Sequence, residues 1–215
     1  MIKQSILLTV ACLSFAFVDA NESNLDKARL LITSFFEKPK TLQANFIQHI
    51  LDENNRIIES MNGKFYVDKP QKVRWEYLEP YEQIFLADGI NFISYDIDLK
   101  QVIIKSQKQI FNQSQVILFL NDDELLEYYK IEKISQKADI FWITLKSIED
   151  NQPNNQFLLG FSEGLLVQIL LVDTIGQTIN INFKDIKINE PIPASLFTLE
   201  IPSGTDVIGQ SMPVN

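Results

Sequence analysis

His49 is the only histidine of the chain and Cys12 its only cysteine. Nucleophilic catalysis needs an activated serine, cysteine or lysine beside a base, most often histidine, and nothing in the sequence marks such a pair. His49 falls on the more polar side of an alternating run and reads as a solvated surface residue. A histidine-built metal site cannot be made from one histidine, and the carboxylate run Asp122-Asp123-Glu124 reads as the acidic first turn of a helix. The Asp88-Gly89 and Ser203-Gly204 pairs are turn chemistry, and no glycine-rich phosphate loop occurs. With 28 acidic residues some facing pair of carboxylates is inevitable, so such a pair carries no signal for glycoside hydrolysis. These residues argue against an enzyme and imply no cofactor and no metal.

What does recur is a large apolar side chain at every second position of strand-like runs. Val73, Trp75 and Tyr77 alternate with Lys72, Arg74 and Glu76, and Leu42, Ala44, Phe46 and Ile50 alternate with Gln43, Asn45 and His49. That is the period of a strand with one buried face. Phe65, Phe92, Phe141 and Phe161 stand in similar runs further along. The chemistry open to such a set is apolar: it packs a core, or it lines a site for a greasy ligand, and periodicity alone does not separate the two.

The elements that must position these residues follow from period and punctuation. Asn24 predicts a helix N-cap, Leu25, Ala28, Leu31, Ile32 and Phe35 keep helical spacing, and Pro39 ends the pattern. A hairpin follows, with Leu42 to Ile50 as its first strand, Asp52-Glu53-Asn54-Asn55 as its turn and Arg56 to Val67 as its second strand. The strand after Lys69-Pro70 is closed by Pro80; residues 83–87 and 91–95 form a hairpin about Asp88-Gly89, and 101–105 add a sixth strand. Between Gln113 and Lys130 the alternation stops, and two short helices are expected, the second capped by Asn121 or Asp122. Strand patterns resume near 131–135, 141–145, 157–161, 165–171 and 178–188. The sum is an α+β plan, a curved antiparallel sheet of about eleven strands with about three helices outside it. So few helices cover little of so wide a sheet, and a partly uncovered apolar groove is expected unless the sheet curls closed.

The 215 residues are 46% hydrophobic and 22% charged, a globular composition suited to one domain over residues 21–215. Residues 1–20 read as a secretory signal peptide, with Lys3 at the positive start, an apolar run from Ile6 to Val18 and Val18-Asp19-Ala20 as the cleavage site. Cys12 lies inside it; Thr9-Val10-Ala11 is a poor lipidation sequence, so a lipid anchor there is the weaker alternative. A formal net charge of −9 repels nucleic acid and anionic membrane surfaces and suits a basic patch on a partner protein.

Taken in order, Leu42-x-Ala44-x-Phe46-x-Gln48, Gly63-Lys64-Phe65-Tyr66-Val67-Asp68-Lys69-Pro70, Val73-Arg74-Trp75, Pro80 and Leu86-Ala87-Asp88-Gly89 resemble the N-terminal half of the outer-membrane lipoprotein carrier family, LolA. Leu196-Phe197-Thr198-Leu199 and Pro202-Ser203-Gly204 resemble that family's C-terminal tail. The resemblance implies an incomplete β-barrel under a helical lid. It implies a periplasmic chaperone, a monomer of a Gram-negative bacterium, that takes acylated lipoproteins from an inner-membrane ABC transporter and passes them to an outer-membrane lipoprotein receptor. A lipid-anchored receptor or a lipoprotein-sensing module of the same fold is the alternative. On this reading Phe46, Phe65, Val73, Trp75, Phe92, Phe141 and Phe161 line the acyl-chain cavity, and Ile117, Leu118 and Phe119 belong to the lid. Lys69 stands where the family usually has the arginine that latches the lid, and lysine lacks arginine's planar fork of donors. The latch is therefore expected at Lys69, with Arg74 as the alternative, and Val73 stands where the family often has a bulkier phenylalanine near the cavity mouth.

Overall fold

The computed structural model describes residues 20–107, 117–120, 125–148, 156–172 and 176–210. Residues 1–19 of the expected signal peptide, Cys12 among them, and Asn121 and Asp122, expected as caps, lie outside them.

Helix α1 spans Ala20–Ile32 and runs straight into a π-helical turn, Thr33–Glu37, closed by Lys38 N–H donating to the Thr33 carbonyl at 3.2 Å. Asn24 is therefore inside the helix and not its cap, since the helix starts four residues earlier with Glu22 in its first turn, where the helix dipole favours a carboxylate. Pro39 follows the last turn, as expected of a residue that cannot continue a helix. The wider π turn puts two adjacent aromatic residues, Phe35 and Phe36, into the interior together, and both are buried.

The strands are β1 (Thr41–Leu51), β2 (Ile57–Asp68), β3 (Lys72–Glu79), β4 (Gln83–Asp88), β5 (Asn91–Asp96), β6 (Gln101–Ser106), β7 (Tyr129–Lys137), β8 (Ile140–Ser147), β9 (Gln156–Ser162), β10 (Leu165–Val172), β11 (Thr178–Ile188) and β12 (Asp206–Ile208). The eleven expected strands all form. The twelfth, three residues paired in parallel with β6, is too short for an alternation to announce it. Between β6 and β7 come the short helices α2 (Ile117–Leu120) and α3 (Leu125–Tyr128), and a 3-10 turn at Ala194–Phe197 is additional to the three helices expected.

All twelve strands make one sheet, in the order β12-β6-β5-β4-β3-β2-β1-β11-β10-β9-β8-β7. The long pairing of β1 with β11 joins the N-terminal and C-terminal meanders into one surface. Among the described residues the end strands β7 and β12 do not pair, so the barrel is incomplete. Along the β7 edge, Lys130, Glu132, Lys133 and Lys137 are exposed.

Two apolar clusters sit on opposite faces. The larger fills the concave side, from Phe46, Phe65, Val73 and Trp75 across to Phe141, Leu159, Phe161 and Ile169. The smaller lies outside β4–β6, where Phe197 of the C-terminal segment covers Ile84, Leu86, Ile93, Tyr95 and Val102.

Candidate functional site: the concave face and its cover

The site is built by alternation. Phe46 on β1, Phe65 on β2 and Trp75 on β3 point to the same side because the registers Ala44↔Phe65 and Phe65↔Trp75 keep like faces together. Their rings meet, Phe46 and Phe65 each lying 4.8 Å from Trp75 between centroids. The position between Phe46 and Tyr77 in the ladder is Gly63, and this is where glycine is required. A Cβ there would stand 1.9 Å from the Glu76 carbonyl oxygen and 2.7 Å from Cζ of Phe46. Phe46 thus lies over the missing side chain and reaches Tyr77, 5.3 Å away, on the strand beyond.

All seven residues expected to line the cavity belong to this face. Phe46, Phe65, Val73, Trp75, Phe141 and Phe161 are buried in the one cluster, and Phe92 is half-buried at its margin, stacked 5.9 Å from Phe85. Sequence reasoning passed over Phe183 on β11, which touches Phe65 at 5.8 Å; its alternation with Ile181 carried the signal. It also passed over Phe36, four residues after Ile32 and so on the same helix face.

The cover comes from the helices. Phe35 meets Phe161 at 6.1 Å, Phe36 meets Phe119 at 5.4 Å, and Phe119 reaches down to Phe65 at 4.5 Å. Lys27 of α1 places its ammonium 4.3 Å from the centre of the Phe141 ring, a cation–π contact. Leu118 is buried with Phe119 in the same cluster; the side chain of Ile117 lies outside the description. Among the described residues the cover thus sets three phenylalanines, Phe35, Phe36 and Phe119, against the concave face. Where Phe35 and Phe119 meet Leu42, Phe65, Leu166, Phe183 and Ile186, only a crevice remains, too narrow to admit a water molecule.

Lys69 donates from its ammonium to the Phe36 carbonyl, at the end of the π turn, and its own N–H donates to the Lys40 carbonyl at 2.8 Å. The β2–β3 connection is thus tied to the base of the first helix. Arg74 does not serve as a latch for the cover. It lies on the opposite face, donating to Glu76 at 3.0 Å and to the Leu196 carbonyl at 3.2 Å, because in a strand it must point away from Val73 and Trp75. His49 is half-buried with Nδ1 sequestered and unpartnered, not fully solvated as expected, since β2 and β11 flank it on both sides.

Residues 37–200 match the protein family described as outer membrane lipoprotein carrier protein LolA. The chain belongs to the LolA family. Its relatives include outer-membrane lipoprotein carrier proteins of Pseudomonas putida strain GB-1, 33% identical over 94% of this chain and 97% of that one, and of Nitrosospira multiformis, 30% identical over 83% and 87%. An uncharacterized conserved protein of Thermus thermophilus superposes with a TM-score of 0.52 at 13% identity, covering 87% of this chain and 98% of its own, a likeness of fold. The span matched to LolA runs from Glu37, the last residue of the π turn, to the C-terminal segment and includes strands β1 to β11, Lys69 and the α2 and α3 region. Among the described residues no cluster of three His, Cys, Asp or Glu could hold a metal ion, and no helix is long and apolar enough to cross a membrane.

Proposed function

We propose that this chain is a carrier that moves lipoproteins from the inner to the outer membrane, with the acyl chains sheltered between the concave face and a displaced cover. The reading rests on one observation: the aromatic side chains that close the concave side, Phe35, Phe36 and Phe119, come from the helices, while the sheet supplies a continuous apolar bed beneath them. Swinging the helices aside exposes the bed without breaking a strand pair. Each methylene kept from water is worth about 0.8 kcal/mol, so a bound tail replaces the cover at little net cost, while a bare tail in water is prohibitively costly.

In this scheme Phe46, Phe65, Val73, Trp75, Phe92, Phe141 and Phe161 line the bed, Ile117, Leu118 and Phe119 belong to the lid, and Lys69 holds the closed form through the Phe36 carbonyl. The domain of residues 21–215 works in the periplasm after residues 1–20 are removed, as a monomer without cofactor or catalytic step. Cargo arrives from an inner-membrane ABC transporter and leaves to an outer-membrane receptor, the acidic surface docking on basic patches of each.

Incubating the purified chain with spheroplasts tests this. Lipoproteins released into the supernatant, and lipoprotein found by mass spectrometry on the recovered carrier, are the expected result. A chain that releases none and binds none is no carrier.

A further inference from the structure

Three buried side-chain atoms among the described residues have no hydrogen-bond partner: His49 Nδ1, Arg74 Nε and Trp75 Nε1. The first two belong to the outer face of their strands. Trp75 is different, for it is wholly buried at the centre of the concave bed, ringed by Phe46, Phe65 and Phe183 with centroids 4.8, 4.8 and 6.1 Å away. Beside it the Tyr77 hydroxyl donates to Gln48 Oε1 at 2.9 Å, so a neighbouring polar group on the same face does find an acceptor.

A buried N–H without an acceptor destabilises the state that contains it, and phenylalanine would give an aromatic ring at this position without that cost. The indole therefore makes sense if an acceptor reaches it in another state of the molecule. An acyl tail on this bed offers only methylenes along its length, and its first acceptor is the carbonyl oxygen of the ester that joins it to glycerol. We propose that the Trp75 N–H is the anchor for that ester carbonyl, fixing how far the tails slide across the sheet and favouring ester-linked chains over plain hydrocarbon. The inference rests on the carrier reading above and deepens it. The closed form carries an unsatisfied donor that the loaded form satisfies, so loading is favoured by a polar contact as well as by burial.

The same ester occurs in a diacylglyceryl-cysteine lipopeptide and in phosphatidylethanolamine, and an ether-linked dialkyl lipopeptide lacks the carbonyl. Each is titrated into ¹⁵N-labelled protein while the two indole N–H signals are followed, with Trp142, on the other face of β8, as the internal control. The expected result is a downfield shift of the Trp75 signal with the diacyl lipopeptide and none with the dialkyl one. The diacyl form should bind roughly three- to tenfold more tightly, a preference lost in Trp75→Phe. If that variant does not fold, the shift in the unaltered chain decides alone. Equal binding of the ester and ether forms with an unmoved indole overturns the anchor but leaves the carrier standing; it would mean that a neighbouring ring face satisfies the N–H. Binding of neither overturns both. A shift with phosphatidylethanolamine and not with the lipopeptide overturns lipoprotein as the source of the ester.

Discussion

At Gly63 the fold depends on a side chain that is absent. Alanine there would drive its methyl into the backbone of β3 and the ring of Phe46, with no flexible group able to yield at the Glu76 carbonyl. Gly63→Ala is expected to destabilise by about 3 kcal/mol, at the upper end of overpacking costs, read as a lower urea midpoint with an unchanged slope. Lys69 acts in the opposite sense, on the cover and not on the bed. Removing its charge-assisted hydrogen bond to Phe36 in Lys69→Met should release about 1.5–3 kcal/mol of closure and raise the open fraction about ten- to hundredfold. Faster uptake of a fluorescent fatty-acyl probe would measure it, and Lys69→Arg should stay near the unaltered rate. Which residues share the concave face was legible at this scale because alternation names a face without coordinates. The Lys69 tie was only half legible: sequence singled out the cation, while its acceptor, a backbone carbonyl at the end of a π turn, has no side-chain signature.

The strands were read nearly to their ends, since hairpin turns and prolines bound them on both sides. The cover was read less well, because the π turn changes the helical period just where Phe35 and Phe36 turn inward, and a four-residue helix such as α2 shows no period. The C-terminal segment carries an element-scale test of the two-cluster arrangement. Phe197 plugs the outer cluster over β4–β6 and belongs to that cluster alone. Phe197→Ala should therefore cost about 3–5 kcal/mol in thermal or chemical unfolding while leaving the affinity for a diacyl lipopeptide unchanged. Phe36→Ala, from the cover, should also lower stability but speed lipopeptide uptake. Calorimetry and a stopped-flow binding trace on the same two variants separate the roles.

Across the whole molecule, composition and charge foretold a domain-sized core and an acidic chain, yet they did not foretell that three rings of the cover would lie against the concave side. That outcome depends on how tightly twelve strands curl and on three ring positions, neither of which a single sequence displays. The net charge of −9 makes a molecular-scale prediction about handover. If docking to donor and acceptor is steered by opposite charge, the transfer rate should fall as salt rises toward roughly 0.5 M, with lipopeptide affinity of the isolated carrier nearly constant, because the bed is apolar.

The edges of the sheet, unpaired among the described residues, bear on how such molecules live together. An open sheet invites another copy to add its own strand, and the end product of that is a growing ribbon. The charges spaced along β7 would be brought alongside those of the newcomer in any such union, and β12 shields the far border with only three residues. Such charges disfavour edge-to-edge union of crowded copies, the hazard that an unclosed sheet carries.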